Sequence, residues 1–321
     1  VTTSAASSTE IQNHRSAIVV GGTIAIDNVK TPSADEVNLL GGSAAYAALA
    51  ASFYHSPVHL VGIVGKDFPS QHLAMLESRG ISLDGIERSD GDSFTWSGEY
   101  FNNMNERTTH RVGLNVLESW QVKVPAPLNE AAFVVLANMS PDNQLEMLAQ
   151  CPSPDRFVIA DTMDLWIEIA NERLHDVLRQ IDLFVINDSE AREFTCTNNL
   201  LQAGRMMLEK GPKHVVIKLG EYGAMLFSAG ETPQFFRSHA YPLEEVVDPT
   251  GAGDSFLGAL AGYLASKGSV TPDFATLRDA VVHGSVLASF TCEAFSTRRL
   301  ESLDNEGLAG RMEHFRNVTA W

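Results

Sequence analysis

Short runs of continuous apolar, largely β-branched residues recur at 17–20, 58–64, 133–136, 157–160, 183–186 and 215–217, and helix-like segments at 43–54, 71–79, 143–150, 166–179 and 200–210 separate most of them. A strand with one wet face alternates apolar and polar side chains, whereas one buried on both faces need not. Apolar strands spaced by helices therefore predict a mostly parallel sheet covered on both sides, a doubly wound α/β layer. The last third turns helical. Phe256, Leu257, Leu260 and Leu264 fall at helical spacing over 255–265, and Thr271-Pro272-Asp273 reads as an N-cap, a proline at the first helical position and an acid in the first turn.

One segment departs from this pattern. In Phe94-Thr95-Trp96-Ser97-Gly98-Glu99-Tyr100 the even positions are Phe, Trp, Gly and Tyr and the odd ones polar, which is a period-two strand. A turn-rich Asn102-Asn103-Met104-Asn105 and a second extended run at 107–112 complete a β-hairpin. It is either an edge hairpin on the core or a cover standing apart with its aromatic face over something apolar. No internal repeat or low-complexity linker divides the chain, so 17–321 is expected to form one domain. Residues 1–16 lack the apolar core of a secretory signal and read as a flexible tail, a vector-derived extension or the stub of a processed leader.

The net charge of −17 disfavours a nucleic-acid backbone or an anionic membrane as partner, so any anion must be held locally by backbone N–H groups, a few cationic side chains or a metal. No apolar run reaches the roughly 18–20 residues of a membrane span. Cys151, Cys196 and Cys292 are far apart and odd in number, without metal-ligand spacing, which points to a reduced, cytoplasmic compartment.

Near the C-terminal third stands Asp248-Pro249-Thr250-Gly251-Ala252-Gly253-Asp254-Ser255-Phe256. The dinucleotide pattern G-x-G-x-x-G is missing, since no glycine follows Gly253 until Gly258. The P-loop pattern is missing too: Gly65-Lys66 precedes Asp67 instead of a hydroxyl, and Gly62 lies too close. Small residues opening a helix still let backbone amides approach an anion that the helix dipole favours. Asp254 would then accept a proton from a hydroxyl attacking phosphorus; the alternative is a helix cap behind a plain turn.

This stretch resembles the C-terminal signature of the PfkB/ribokinase family of carbohydrate kinases. The family's N-terminal signature is similar to Gly41-Gly42-Ser43-Ala44-Ala45-Tyr46-Ala47-Ala48, followed by Gly62-Ile63-Val64-Gly65-Lys66-Asp67. The resemblance covers roughly 17–318. It implies a ribokinase-like fold, with Asp254 as catalytic base and the Thr250, Gly251, Ala252 and Gly253 amides on the transferring phosphoryl group of ATP. Asn187-Asp188-Ser189-Glu190 is similar to the N-x-x-E motif that positions Mg²⁺ through water, Glu190 being the metal-side carboxylate; it also fits a capping box. Lys218 and Gly220 match the loop under the nucleotide phosphates, and His283 a helix forming the adenine wall. Asp27, Gly41 and Gly42 match substrate-binding positions. Asp248 falls where relatives hold a monovalent cation such as K⁺.

Two departures matter. Tyr46 stands where the family carries Asn, so either the substrate site is remodelled, with a ring for stacking, or Tyr46 turns into the core. Asp161-Thr162-Met163-Asp164-Leu165-Trp166 resembles a D-x-N-x-R stretch without its arginine. The family's small β-lid would here comprise about 26–39 and 93–114. Phe94, Trp96 and Tyr100 would line it, Asn103, Asn105 and Arg107 would reach the substrate, and lid pairing would give a homodimer. The implied activity is an ATP- and Mg²⁺-dependent kinase acting on a hydroxyl of a sugar or polyol. A nucleoside acceptor, or a kinase-like binding protein without turnover, is the alternative.

Overall fold

The structure, a computed structural model, describes residues 16–320; the expected tail lies outside them apart from Ser16. The strands are β1 (Ile18–Gly21), β2 (Ala25–Lys30), β3 (Asp35–Gly41), β4 (Val58–Val64), β5 (Ile81–Arg88), β6 (Phe94–Tyr100), β7 (Arg107–Gly113), β8 (Phe133–Leu136), β9 (Phe157–Ala160), β10 (Leu183–Asn187), β11 (His214–Lys218), β12 (Ala224–Ser228) and β13 (Gln234–Ser238). Nine form one sheet in the order β13-β12-β11-β10-β9-β8-β1-β4-β5. The run from β11 to β5 is parallel, and β12 and β13 close one edge antiparallel. The continuous apolar runs are the strands buried on both faces, as Phe133–Leu136 and Phe157–Ala160 are throughout.

Each face carries its own apolar layer. Helices Ser43–Ala51, Ala252–Ser266 and Phe274–Thr291 pack on one, and Pro141–Gln150, Asn171–Leu178 and Leu200–Leu208 on the other. The first two helices meet backbone to backbone: a Cβ placed on Gly258 would lie 2.0 Å from the Ala47 carbonyl oxygen. That contact explains why six of the nine residues of Ser43–Ala51 are alanine, and it brings the starts of both helices to one place.

Three expectations need correction. The segment 166–179 is two helices, Asp164–Ile169 and Asn171–Leu178, broken where Ala170 leaves helical dihedrals (φ −135). The cap before Phe274–Thr291 is Asp273, whose carboxylate accepts from the Thr276 amide, rather than Thr271; a carboxylate competes well for that role. Strands β5, β12 and β13 were not foreseen.

The expected hairpin is β6 and β7, antiparallel, within a separate four-stranded sheet ordered β3-β2-β6-β7 that forms the lid. β6 also runs parallel to β2, which pairs Asp27 with Trp96. A bulge at Ser97/Gly98 breaks the simple alternation. Tyr100 is buried with Val29, Leu39 and Phe295, and Trp96 packs against them. Phe94 is only half-buried. Among the described residues no helix is long and apolar enough to cross a membrane.

Candidate active site

In an open parallel sheet, ligands gather at the carboxyl ends of the strands. Here three neighbouring strands end in polar side chains: β9 runs into Asp161, β10 ends at Asn187 and β11 at Lys218, with Asn187 and Lys218 in register. The turn Thr250–Gly253 faces them. Gly251 sits at φ 77, a left-handed conformation that suits glycine, and a Cβ there would lie 2.4 Å from the Tyr46 ring.

Gly251 is the N-cap of Ala252–Ser266, and among the described residues no side chain caps that helix. Asp254 is therefore a first-turn carboxylate, not a cap. The amides of the turn are unequal. Thr250 donates to Asp248 Oδ1 at 2.9 Å and Ala252 to the Pro249 carbonyl at 3.1 Å. Among the described residues the Gly251 and Gly253 amides have no such partner, so the anion hole narrows to these two. Beside Gly253 stands Lys218, whose Nζ would be 3.1 Å from a Cβ at that position.

Lys218 is paired with Asp161 (Nζ to Oδ2 3.1 Å), the two side chains 17% and 5% exposed. Burial pushes its pKa down, but Asp161, then Glu190 and Asp254, outweigh this and raise it, so it carries its charge. Asp254 is pushed up to about 6, by burial first and the Asp161 charge second, against Lys218 and Arg107. Asp27 is pushed up to about 8 by burial, with the charges of Asp248 and Asp254 adding to it. Its Oδ1 is buried and has no hydrogen-bond partner among the described residues. A Cβ on Gly41 would sit 2.0 Å from Asp27 Oδ2, so that glycine makes room for the carboxyl. Gly42 (φ 94) caps Ser43–Ala51.

Asn187 and Glu190 form the capping box: Asn187 Oδ1 accepts from the Glu190 amide at 2.9 Å, and Glu190 Oε2 from the Asn187 amide at 3.0 Å. Glu190 is buried and pushed up to about 7, chiefly by that burial, while Lys218 opposes. One carboxylate oxygen is thus fixed, and the group lies close enough to Lys218 to feel its charge. Among the described residues no group of three or more His, Cys, Asp or Glu could hold a metal ion. A single fixed carboxylate suits Mg²⁺, which keeps several waters and shares phosphate oxygens, and does not suit a tightly caged metal.

A groove of ≈ 370 Å³ opens beside the turn, lined by Lys218, Gly220, Gly253, Phe256, Ser285 and Ser289 among others. Asn103 and Asn105 at the hairpin tip also line it, and Asn105 Nδ2 donates to Glu221 Oε1 at 3.2 Å across the mouth. Asn103, expected on the acceptor, instead lines this groove, and its Oδ1 holds the tip turn together through the Asn105 and Glu106 amides. Arg107, at the start of β7, is close enough for its charge to act on Asp254.

Three other assignments change. His283 is not on the groove. Its ring stacks on Tyr263 (centroids 4.1 Å apart, 20°) and Nδ1 meets Tyr54 Oη at 3.3 Å; positions 285, 288, 289 and 292 carry the groove-facing side of the same helix. Tyr46 is 2% exposed with its ring under Gly251, so it turns into the core and offers no face for stacking. Asp248 is fully buried, and its oxygens accept from the Thr250 and Ser296 amides (2.9 and 3.3 Å). That carboxylate is committed to ordering the loop, which does not fit a cation seat. Sequence reasoning passed over Asp161 as a site residue. The available signal was an acid directly after a fully buried strand.

A parallel α/β sheet with a four-stranded lid, a glycine turn opening a helix, and a buried lysine beside a raised carboxyl together define a phosphoryl-transferring enzyme of the ribokinase-like fold. The description pfkB family carbohydrate kinase matches residues 18–303, and the chain belongs to that family. It is 28% identical over 252 residues to a cytidine kinase of Thermococcus kodakarensis, covering 77% of this chain and 88% of that protein. It is 25% identical over 236 residues to a ribokinase of Arabidopsis thaliana, covering 70% of this chain and 61% of that one. The solved structure of a ribokinase from Giardia lamblia superposes with a TM-score of 0.79 at 19% identity, covering 94% of this chain and 99% of that chain.

Proposed function

We propose that this kinase moves the γ-phosphoryl group of ATP to a hydroxyl of a pentose, either free or as part of a nucleoside. One observation carries the reading: the carboxyl of Asp254, raised to about 6, lies within reach of the Lys218 charge in the first turn of the helix whose opening amides, at Gly251 and Gly253, are uncommitted among the described residues, with Lys218 and Gly253 lining the groove. A base whose pKa lies near neutrality is matched to its task. Asp27, through its unpartnered Oδ1, accepts from an acceptor hydroxyl and fixes which oxygen meets Asp254. The triphosphate lies along the groove over Lys218 and Gly220. Asp254 takes the hydroxyl proton, while the Gly251 and Gly253 amides, the helix dipole and Lys218 meet the charge that develops on the phosphoryl oxygens. Mg²⁺, held through water by Glu190, supplies further neutralisation of that charge when bound. The lid, tethered to the nucleotide side by Asn105 and Glu221, excludes water from the transfer.

A sugar is the first choice of acceptor. A nucleoside is supported by the match to a cytidine kinase over 88% of that protein. A cytoplasmic homodimer paired through the lid remains part of the reading, since Val112 (52% exposed) presents an apolar side chain on the lid. The test is ATP consumption against a panel of sugars, polyols and nucleosides. Asp254→Asn is expected to lower kcat by about three orders of magnitude or more with ATP affinity within a few-fold. A variant keeping most of its turnover refutes the base; tight ATP binding without turnover on any panel member favours a kinase-like binding protein.

A further inference from the structure

A buried cation among several carboxyls settles on the pairing that costs least, and here the pairing is unexpected. Lys218 has three carboxyl neighbours, Asp161, Glu190 and Asp254, yet its hydrogen bond goes to Asp161. Asp161 is held for that role from both ends. Its Oδ1 accepts from the Thr162 amide at 2.8 Å, and its carbonyl accepts from Nε2 of Gln144 at 2.9 Å. Gln144 is 1% exposed and its amide nitrogen also lies 3.4 Å from the carbonyls of Leu136 and Ala137, so one side chain ties the end of β8 to the end of β9. Glu190 is restrained differently, by its bond to the Asn187 amide. Among the described residues neither Glu190 nor Asp254 has a cation bonded to it, and of the two only Glu190 is held by the capping box.

We propose that Asp161 is a positioning residue: it pins the Lys218 ammonium against the wall of the anion-binding turn and diverts it from the carboxylate of Asp254. The inference rests on the reading of Asp254 as base. A lysine that paired with Asp254 would hold that oxygen pair ionised and spent, a poor acceptor for a proton. A lysine pinned to Asp161 stays beside Gly253, where a phosphate oxygen arrives, and leaves the base free. The charged and titratable groups acting on Asp254 from the surrounding elements are Asp161 after β9, Lys218 on β11 and Arg107 on β7. Asp254 acts in turn on Asp27 of β2 and on Tyr46 in helix Ser43–Ala51.

The opposed signs of the two partners make the test. ¹³C carboxyl NMR titration, with the Asp254 signal assigned by its loss in Asp254→Asn, reads the midpoint whether or not the enzyme turns over. Asp161→Asn should lower that midpoint, as Lys218 turns to Asp254, whereas Lys218→Met should raise it. In kinetics, Asp161→Asn should lower kcat at least tenfold with the KM for ATP within threefold, and move the acid limb of kcat downward. In a Lys218→Met background the same change should lower kcat by less than a third of that factor. An Asp254 midpoint unmoved or raised in Asp161→Asn overturns the proposal. So does an undiminished effect in the Lys218→Met background, or a loss expressed only in acceptor KM. If Asp161→Asn does not fold, the Lys218→Met midpoint decides alone, and a fall overturns the proposal. Wild-type protein inactive on the whole panel, with the midpoints moving as stated, would instead refute the kinase reading and leave the pairing in place.

Discussion

Asp27→Asn isolates the cost of burying a carboxyl at the position proposed to meet the acceptor. In the folded chain Asp27 titrates at about 8, raised by burial and then by Asp248 and Asp254. In the unfolded chain it titrates near the ordinary value of about 3.9. Between roughly pH 5 and 7 the folded state therefore keeps one proton that the unfolded state has released. Stability follows the difference in bound protons, so this carboxyl makes unfolding easier as pH rises, by about 1.4 kcal/mol per pH unit. The contribution is fully present below pH 4 and lost as pH rises through 8. Over pH 5 to 7 it amounts to about 3 kcal/mol, or about 5–10 °C in Tm for a chain of this size.

Asparagine keeps the shape and removes the titration. Its amide inherits a position where Oδ1 has no partner, which adds a pH-independent cost of about 1–3 kcal/mol. The absolute stability of the variant is therefore a poor test, and the difference in slope is a clean one. Asp254 and Glu190, at about 6 and 7, titrate in the same window but in both proteins, and cancel. Urea unfolding of the ligand-free enzyme at half-unit steps from pH 5 to 7 should show the variant gaining about 3 kcal/mol relative to wild type across the range. Parallel curves would mean that Asp27 is already ionised in the folded chain at pH 5, and the account of the acceptor pocket would fail.

Gly41→Ala should act on the same pocket from behind. Its Cβ would lie 2.0 Å from Asp27 Oδ2, so the carboxyl must shift, and the acceptor KM should rise at least tenfold with the KM for ATP little changed; an unchanged acceptor KM would remove Asp27 from acceptor recognition. Gly258→Ala tests the helix contact that brings both helix starts together. A Cβ 2.0 Å from the Ala47 carbonyl oxygen cannot be absorbed by a side-chain rotation, and a loss of about 1–3 kcal/mol in urea unfolding is expected; a neutral result would mean the two helices can part freely.

What could be read from the sequence was what is local. The boundaries 58–64, 133–136 and 157–160 agree with β4, β8 and β9 because a strand covered on both faces leaves an uninterrupted apolar run. β5 and β13 lie at the two edges of the sheet with mixed burial, and their sequences ISLDGIER and QFFRS carry no such run. The glycine turn was legible because its residue types are dictated by backbone geometry at that spot. Asp161 was not, since its meaning comes from strand order: β9 and β11 flank β10, and only that arrangement sets Asp161 on a lysine 57 residues away. His283 failed on helix phase, because a family position names a helix but two residues' difference turns a side chain by roughly 200°.

Strand order also bears on how so acidic a chain holds a nucleotide. Asp27, Asp161, Glu190, Asp248 and Asp254 converge on a site whose nearest cations are Lys218 and Arg107. Were all five ionised, the site would repel a triphosphate. Asp27 and Glu190 are instead raised to about 8 and about 7, so near neutrality Asp27 keeps its proton and Glu190 part of its own, while Asp254, at about 6, is mostly ionised and able to act as a base. The same burial that leaves Asp27 neutral would let it donate to, as well as accept from, the hydroxyl of the proposed acceptor. Binding of a phosphate chain should draw these carboxyls further toward their protonated forms, while a cation at Glu190 would draw that one back. On the proposed reading nucleotide and metal would be coupled through the charge state of the site, with the lysine held by Asp161 as its fixed positive charge.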